Sequence, residues 1–201
     1  MYPALAAFVE EMARVFDAEG RAEGSATALV LKALPQDLWL QGSDCGADSA
    51  ICDLLGTSAM PVAQAALAAH DDLGWAFDTY ASKTPEMALL SPYVVADLMG
   101  PEQAIRCDTL RAGLYYQRPN TRYGLHSHAA DETYVIIAGA ANWTAGDMQR
   151  RLGPGDYVHH TTYLPHACET GPEGVVALWR WSGDIGKDSY RVHNGQGAFA
   201  A

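Results

Sequence analysis

Basic residues are scarce in this sequence. Lys and Arg together number 13 against 24 Asp and Glu, which gives a net charge of −11 at pH 7. Residues 1–100 hold 4 basic and 14 acidic side chains, a net charge of 4 − 14 = −10, and residues 101–201 contain no basic run. A nucleic-acid partner needs a concentrated basic surface. We therefore expect no nucleic-acid binding, and an acidic first half that aids solubility.

Long apolar runs are also lacking. No stretch of about 18 apolar residues occurs, so we expect no membrane-spanning helix. The first residues, MYPALAAFVEEMARVF, have acids where a secretion signal needs basic residues. The four cysteines, Cys45, Cys52, Cys107 and Cys168, form no CxxC pair. We expect a cytoplasmic protein that binds no membrane and whose thiols are free.

The first half, residues 1–100, is predicted to be a helical region. Apolar residues from Leu5 to Phe16 recur at spacings of three and four, which predicts a helix over 3–19. Further helices are predicted over 25–34, over 59–70 with an extension over 72–80, and over 85–99. This half holds no constellation of catalytic residues.

The second half, residues 101–201, changes to short β-rich runs separated by turn signals. The runs are RAGLYY from Arg111, TYVIIA from Thr133, GDYVH from Gly155 and GVVALWRW from Gly174. Short strands at this spacing predict an antiparallel sandwich or barrel. Neither a Gly-rich phosphate loop nor a G-x-S-x-G nucleophile motif is present in the sequence.

Two histidines and a glutamate lie close together in GLHSHAADETYVIIAG. Residues two apart in a strand share a face, so His126 and His128 point the same way, and Glu132 and Tyr134 do so on the next run. Imidazole nitrogens and carboxylate oxygens are ligands for Zn, Fe, Mn or Ni. His166, which follows a turn, offers a fourth ligand. The pattern predicts a metal site.

These residues resemble two motifs of the cupin superfamily. His126-Ser-His128, Glu132 and Gly139 resemble the first motif, and Gly153-Pro-Gly155-Asp156 through Pro165-His166 resembles the second. The likeness covers roughly residues 105–190. It implies a mainly β fold, with a double-stranded β-helix barrel in residues 101–201 and the helical residues 1–100 packed on it. It also implies one divalent metal ion (Zn, Fe(II), Mn, Co or Ni) held by His126, His128, Glu132 and His166.

Four aromatic residues extend the resemblance to the bacterial dimethylsulfoniopropionate (DMSP) lyases of the cupin type, the DddQ-type family. They are Tyr123, Tyr134, Trp179 and Trp181. The family implies cleavage of DMSP into dimethyl sulfide and acrylate, with Tyr134 as the base, Tyr123 as a second catalytic residue, and Trp181, with Trp179 beside it, against the sulfonium cation. On the sequence alone, Tyr134 could simply fill the barrel, and core packing is the more common role of such tryptophans. Strict alternation puts Tyr123 on the opposite face from His126, and a bulge at Gly124 would re-aim its ring.

Other interpretations stay open from the sequence. The same ligands would suit an Fe(II) dioxygenase, a cupin isomerase, or a cupin that binds a small ligand without catalysis. His159 and His160 are expected in a loop before Pro165, around the ligands or on the surface, and not as ligands themselves. Cys168 shares a face with His166 and could lie near the metal without ligating it. Neither the metal's identity nor the oligomeric state follows from the sequence.

Overall fold

A computed structural model of the chain describes residues 3–34, 45–77 and 92–193. Its helices are α1 Pro3–Asp17, α2 Ala22–Lys32, α3 Asp48–Gly56 and α4 Pro61–Ala68, followed by a 3₁₀ turn at His70–Asp72. The helices predicted over 3–19, 25–34 and 59–70 are confirmed within a few residues, and α3 was not predicted. No helix in these three ranges has the length and apolar character needed to cross a membrane.

The helix α1 shows why this part of the chain packs on the rest. Its apolar face is fully buried, with Leu5, Phe8, Met12 and Phe16 each 0% exposed. These side chains belong to one hydrophobic core that also contains residues of the sheet. Burying such side chains is worth about 1.5–3 kcal/mol each. The helical layer is therefore continuous with the sheet through a shared core.

The strands form one 10-stranded sheet. They are β1 Ala76–Phe77, β2 Tyr93–Gly100, β3 Ile105–Arg106, β4 Arg111–Gln117, β5 Arg122–Ser127, β6 Ala130–Ala145, β7 Met148–Leu152, β8 Tyr157–His160, β9 His166–Gly183 and β10 Arg191–Val192. All pairings are antiparallel except that of β2 with β3.

The two long strands, β6 and β9, curl the sheet into a barrel. The first part of β9 pairs with β5 and with the end of β6, and its second part pairs with β4 and the beginning of β6. The β6–β9 register shifts between Ile136 and Ala138 and again between Gly139 and Ala141. Such irregularities bend a strand and increase its twist. The mainly β cupin fold with N-terminal helices is confirmed.

One predicted helix is wrong. Of the range 85–99, residues 85–91 lie outside the described residues, and the part that is described enters β2. Tyr93, Val94 and Val95 have high β propensity, and pairing with β4 on one side and β1 on the other outweighs the helix preference of the Ala, Leu and Met that follow.

Two smaller predictions also need correction. The helical extension over 72–80 is wrong in its described part, where the 3₁₀ turn ends and β1 begins. His159 and His160 lie in β8 and not in a loop. The division at residue 100/101 stays a prediction, and β2, which precedes it, is already part of the sheet.

Candidate metal centre

The four predicted ligands come together inside the barrel. They lie on separate elements: His126 on β5, His128 in the turn after it, Glu132 on β6, and His166 at the start of β9. Each side chain is buried. Pairing of β5 with β9 places His126 directly opposite His166, and the short turn between β5 and β6 brings Glu132 to the same place.

The three histidine rings are held in one tautomer by the backbone. The Nδ1 atoms of His126, His128 and His166 lie 2.8, 3.1 and 2.8 Å from the carbonyl oxygens of Gly124, Ala130 and Leu164. A carbonyl oxygen can only accept, so each Nδ1–H donates. In the neutral form of each ring the proton therefore sits on Nδ1, which leaves Nε2 as the nitrogen that can bind a metal.

The Nε2 atoms of His128 and His166 point at the carboxylate of Glu132. They lie 3.4 and 3.2 Å from its Oε2. Although both nitrogens are buried, neither has a hydrogen-bond partner, a situation that is costly for a polar atom. The ligand atoms of His126, His128 and His166 lie within 4.8 Å of one another. Three imidazoles this close together, with the carboxylate of Glu132 beside two of them, suit a divalent transition metal ion.

The ionisation states of Glu132 and His126 suit metal binding. Burial alone would raise the pKa of Glu132, but the neighbouring His128 and the hydrogen bond from His160 hold it well below its ordinary value. Burial, aided by the nearby His166, lowers the pKa of His126 well below its ordinary value. The site therefore combines an ionised carboxylate with a neutral imidazole at His126.

His160 also reaches the centre. Pairing of β8 with β6 places it opposite Glu132, and its Nδ1 lies 2.8 Å from Glu132 Oε2. Its Nε2 accepts a hydrogen bond of 3.0 Å from the indole Nε1 of Trp143. Burial lowers the pKa of His160 to about 4, so the ring is neutral at pH 7. A second possible metal-binding group consists of Glu132, His160 and His166.

A pocket lined by aromatic side chains opens beside the centre. Its walls include all four aromatics singled out from the sequence, Tyr123, Tyr134, Trp179 and Trp181. They also include residues that the sequence did not single out: Tyr93, Tyr115 and Tyr190, with the charged Asp97, Arg111 and Lys187. Such aromatic faces suit a small cation.

Tyr123 reaches the pocket through a bulge, as expected. The register of β5 against β9 shifts between Tyr123 and His126. The Tyr123 ring stacks on that of His126, with centroids 4.1 Å apart, and its hydroxyl lies 2.8 Å from the hydroxyl of Tyr190. The segment after β9 thus contributes a residue to the pocket wall, a contribution that no sequence pattern signals.

The two tryptophans have different polar partners. Trp181 donates its indole N–H to Glu132 Oε1 at 2.6 Å, and its ring lies 4.4 Å from that of His128. Trp179 donates to the carbonyl oxygen of Leu114 at 3.2 Å. Trp181 is therefore tied to the metal centre as well as to the pocket, whereas the polar atom of Trp179 is satisfied by the sheet.

His159 and Cys168 lie outside the two metal-binding groups among the described residues. His159 faces Thr133 and Asp131, at 3.0 and 3.2 Å. Cys168 is buried opposite Tyr123 on the neighbouring strand. Burial raises the pKa of its thiol, so it remains protonated at neutral pH.

Comparison with known proteins points to one family. The family model described as dimethylsulfoniopropionate lyase matches residues 47–177. The chain is 33% identical over 134 residues to dimethylsulfoniopropionate lyase DddQ of Ruegeria pomeroyi, covering 66% of each chain. It is 31% identical over 103 residues to a putative dimethylsulfoniopropionate lyase DddL of Cereibacter sphaeroides, covering 50% of this chain and 43% of that protein. The alignments thus span less than two thirds of the relatives' own lengths.

Solved structures show the same fold over most of the chain. A crystal structure of DMSP lyase DddQ from Ruegeria pomeroyi has a TM-score of 0.67 at 26% identity, covering 92% of this chain and 94% of that one. A chain from the crystal structures of the DMSP lyases RdDddP and RnDddQII has a TM-score of 0.72 at 22% identity, covering 95% and 98%. The helical layer and the barrel are therefore shared with these proteins.

Proposed function

This chain belongs to the dimethylsulfoniopropionate lyase family, and from that premise we propose that it cleaves DMSP into dimethyl sulfide and acrylate with the help of one divalent metal ion. The observation that carries the proposal is the junction of two sites, the histidine–carboxylate centre and the aromatic pocket. DMSP joins a carboxylate to a sulfonium cation through two carbons, so its two ends need such neighbouring but different surroundings.

The metal would be held by His126, His128, Glu132 and His166. The support is the two buried and unpartnered Nε2 atoms of His128 and His166, beside an ionised Glu132. The chemistry that a divalent ion supplies there is Lewis acidity toward the substrate carboxylate, which favours the negative charge that develops when the adjacent C–H loses its proton.

The aromatic pocket would hold the sulfonium. Trp179 and Trp181 lie with their ring centroids 6.0 Å apart and almost perpendicular, at 70°. A cation over an aromatic face gains about 0.5–2 kcal/mol, more when water is excluded. We assign both rings to the sulfonium. Since Trp181 also donates to Glu132, Trp179 offers the cleaner test of the cation site.

The reaction itself is a β-elimination. A base removes the proton from the carbon next to the carboxylate, a C=C bond forms, and the C–S bond breaks with its electron pair leaving on sulfur. We assign the base to Tyr134, with Tyr123 as the alternative among the other phenols that line the pocket. Burial and the adjacent Glu132 raise the pKa of Tyr134 well above its ordinary value, and a divalent ion held nearby would favour the phenolate form that this role requires.

The experiment is a headspace assay of purified protein with DMSP, in air and under anaerobic conditions. We expect dimethyl sulfide and acrylate in equal amounts in both. Dialysis against a chelator should abolish the release, and one equivalent of a divalent transition metal should restore it. A protein that releases no dimethyl sulfide after metal loading would refute the lyase assignment, and release that needs oxygen would indicate an oxygenase.

A further inference from the structure

The strand β8 brings a fourth buried histidine to the centre. His160 is 0% exposed and lies between two polar partners. One is the carboxylate of Glu132, whose Oε2 is 2.8 Å from Nδ1, and the other is the indole of Trp143, whose Nε1 is 3.0 Å from Nε2. These three side chains form a continuous hydrogen-bonded chain inside the barrel.

The chemistry of the three groups fixes the direction of every hydrogen bond in this chain. An indole nitrogen is a donor only, so His160 Nε2 must accept. In a neutral imidazole the proton then sits on Nδ1. Glu132 is an acceptor when ionised, so Nδ1–H donates to it.

This hydrogen-bonding pattern distinguishes His160 from the three histidines proposed as metal ligands. Those rings give Nδ1–H to the backbone and keep Nε2 directed to the centre. In His160 both nitrogens are already used, one by Trp143 and one by Glu132. Binding of a metal to His160 would break one of these two buried hydrogen bonds.

From these contacts we infer that His160 is a positioning residue for Glu132 and not a metal ligand. The inference rests on the proposed metal-dependent function. Glu132 is held at both oxygens, by Trp181 at Oε1 and by His160 at Oε2. The His160 ring is itself fixed by stacking on His166, with centroids 3.9 Å apart and planes at 16°. Hydrogen bonds of this kind fix the orientation of a ligating carboxylate and raise metal affinity.

The test uses Co²⁺ as the probe and measures its affinity and absorption spectrum in the full-length protein. His160→Leu removes the donor, and we expect Co²⁺ affinity to fall by about 10- to 100-fold. His160→Asn is the matched control, because its amide nitrogen can stand where Nδ1 stands and donate to Glu132. We expect it to keep most of the affinity and the wild-type spectrum, since the coordination shell would be unchanged.

A second measurement is made on the wild-type protein, and a variant serves only to assign one signal. In protein labelled with ¹⁵N-histidine, Zn²⁺ should shift the Nε2 signals of His126, His128 and His166, while His160 keeps a protonated Nδ1 and an unshifted Nε2. Loss of that assigned signal in His160→Asn identifies it.

Several results would overturn the inference. A Zn²⁺-induced shift at His160, or an altered Co²⁺ spectrum in His160→Asn, would make it a ligand. If His160→Leu bound Co²⁺ as tightly as the wild-type protein does, His160 would have no role in positioning Glu132. If the wild-type protein itself bound no Co²⁺ or Zn²⁺, the metal-dependent function would fail first, and this inference with it.

Discussion

Glu132 and Tyr134 lie two residues apart on β6, and their surroundings shift their pKa values in opposite directions. Both are buried. For Glu132 the penalty of burial is outweighed by His128 and by hydrogen bonds to the carboxylate, which hold its pKa well below the ordinary value. For Tyr134 burial and the charge of Glu132 act together and raise its pKa. Tyr134 is therefore protonated unless a metal ion offsets both effects.

The assignment of Tyr134 as the base gives the first prediction. Tyr134→Phe keeps the ring and its contacts with Tyr115 and Trp143, at 5.5 and 4.9 Å between centroids, and removes only the proton acceptor. We expect dimethyl sulfide release to fall about 10²- to 10⁴-fold, with metal content and thermal stability unchanged. Gas chromatography of the headspace and elemental analysis measure these quantities.

Tyr157→Phe is the matched control for this prediction. It removes a hydroxyl that bonds the carbonyl oxygen of Val15 at 2.9 Å, on the outer side of the neighbouring strand β8. Its activity should stay close to that of the wild type. Near-normal release from a folded, metal-loaded Tyr134→Phe protein would rule out this base and point to Tyr123.

At the residue scale the sequence singles out the proposed ligands more readily than the residues that contact them. His126, His128 and Glu132 are recognisable because a two-residue spacing and one short turn bring them together. The contact of His160 with Glu132 is not recognisable, because it depends on which strand pairs with β6. Tyr190 follows the last long strand, and no periodicity signals that it reaches Tyr123.

Among the elements, β6 carries Glu132 and Tyr134, and it bends between the two parts of β9 with which it pairs. Gly139 lies where its register against β9 shifts, with φ of 68°. A Cβ built there would lie 2.3 Å from the carbonyl oxygen of Gly174. Only glycine fits this close approach of two strands. The glycine of the cupin-like motif is therefore required at this position by the backbone conformation and by the close approach of β9.

The second prediction follows from that bend. Gly139→Ala should lower the free energy of unfolding by more than about 1–2 kcal/mol, the penalty of a left-handed backbone alone, because the methyl group also meets the Gly174 carbonyl. Gly153→Ala is the control, since a Cβ there meets nothing within 4 Å. Urea unfolding of both variants measures the difference. Equal stability of the two would show that β6 can bend differently.

Element types were predictable where one periodicity dominates. The buried face of α1 recurs at helical spacing and gives the helix almost to its ends. The strand β2 was missed because Ala, Leu and Met in its second half favour a helix in isolation. Its partners β1 and β4 decide its conformation, and β1 has only two residues. Long-range pairing of this kind is not visible in a local window.

Across the whole molecule, one buried ion pair ties the helical layer to the barrel. Glu19, just after α1, bonds Nε of Arg180 on β9 at 2.7 Å and accepts a hydrogen bond of 2.7 Å from Thr133 on β6. Thr133 and Arg180 are paired across the two strands, next to the pair of Glu132 and Trp181. Since neighbours in a strand face opposite sides, the ion pair lies on the outer face directly behind the site.

The last prediction concerns the ion pair between Glu19 and Arg180. Glu19→Gln keeps the size of the side chain but leaves the Arg180 guanidinium, which is 0% exposed, without its counter-charge. Breaking a buried pair from one side costs about 3–5 kcal/mol, so the urea midpoint should fall strongly. Glu10→Gln is the control: it breaks the exposed pair with Arg14, where the Glu10 side chain is 63% exposed, and should change stability by less than about 1 kcal/mol. If both variants lost the same small amount, water would have to reach Arg180, and the shared apolar core would be the principal link between the helices and the barrel.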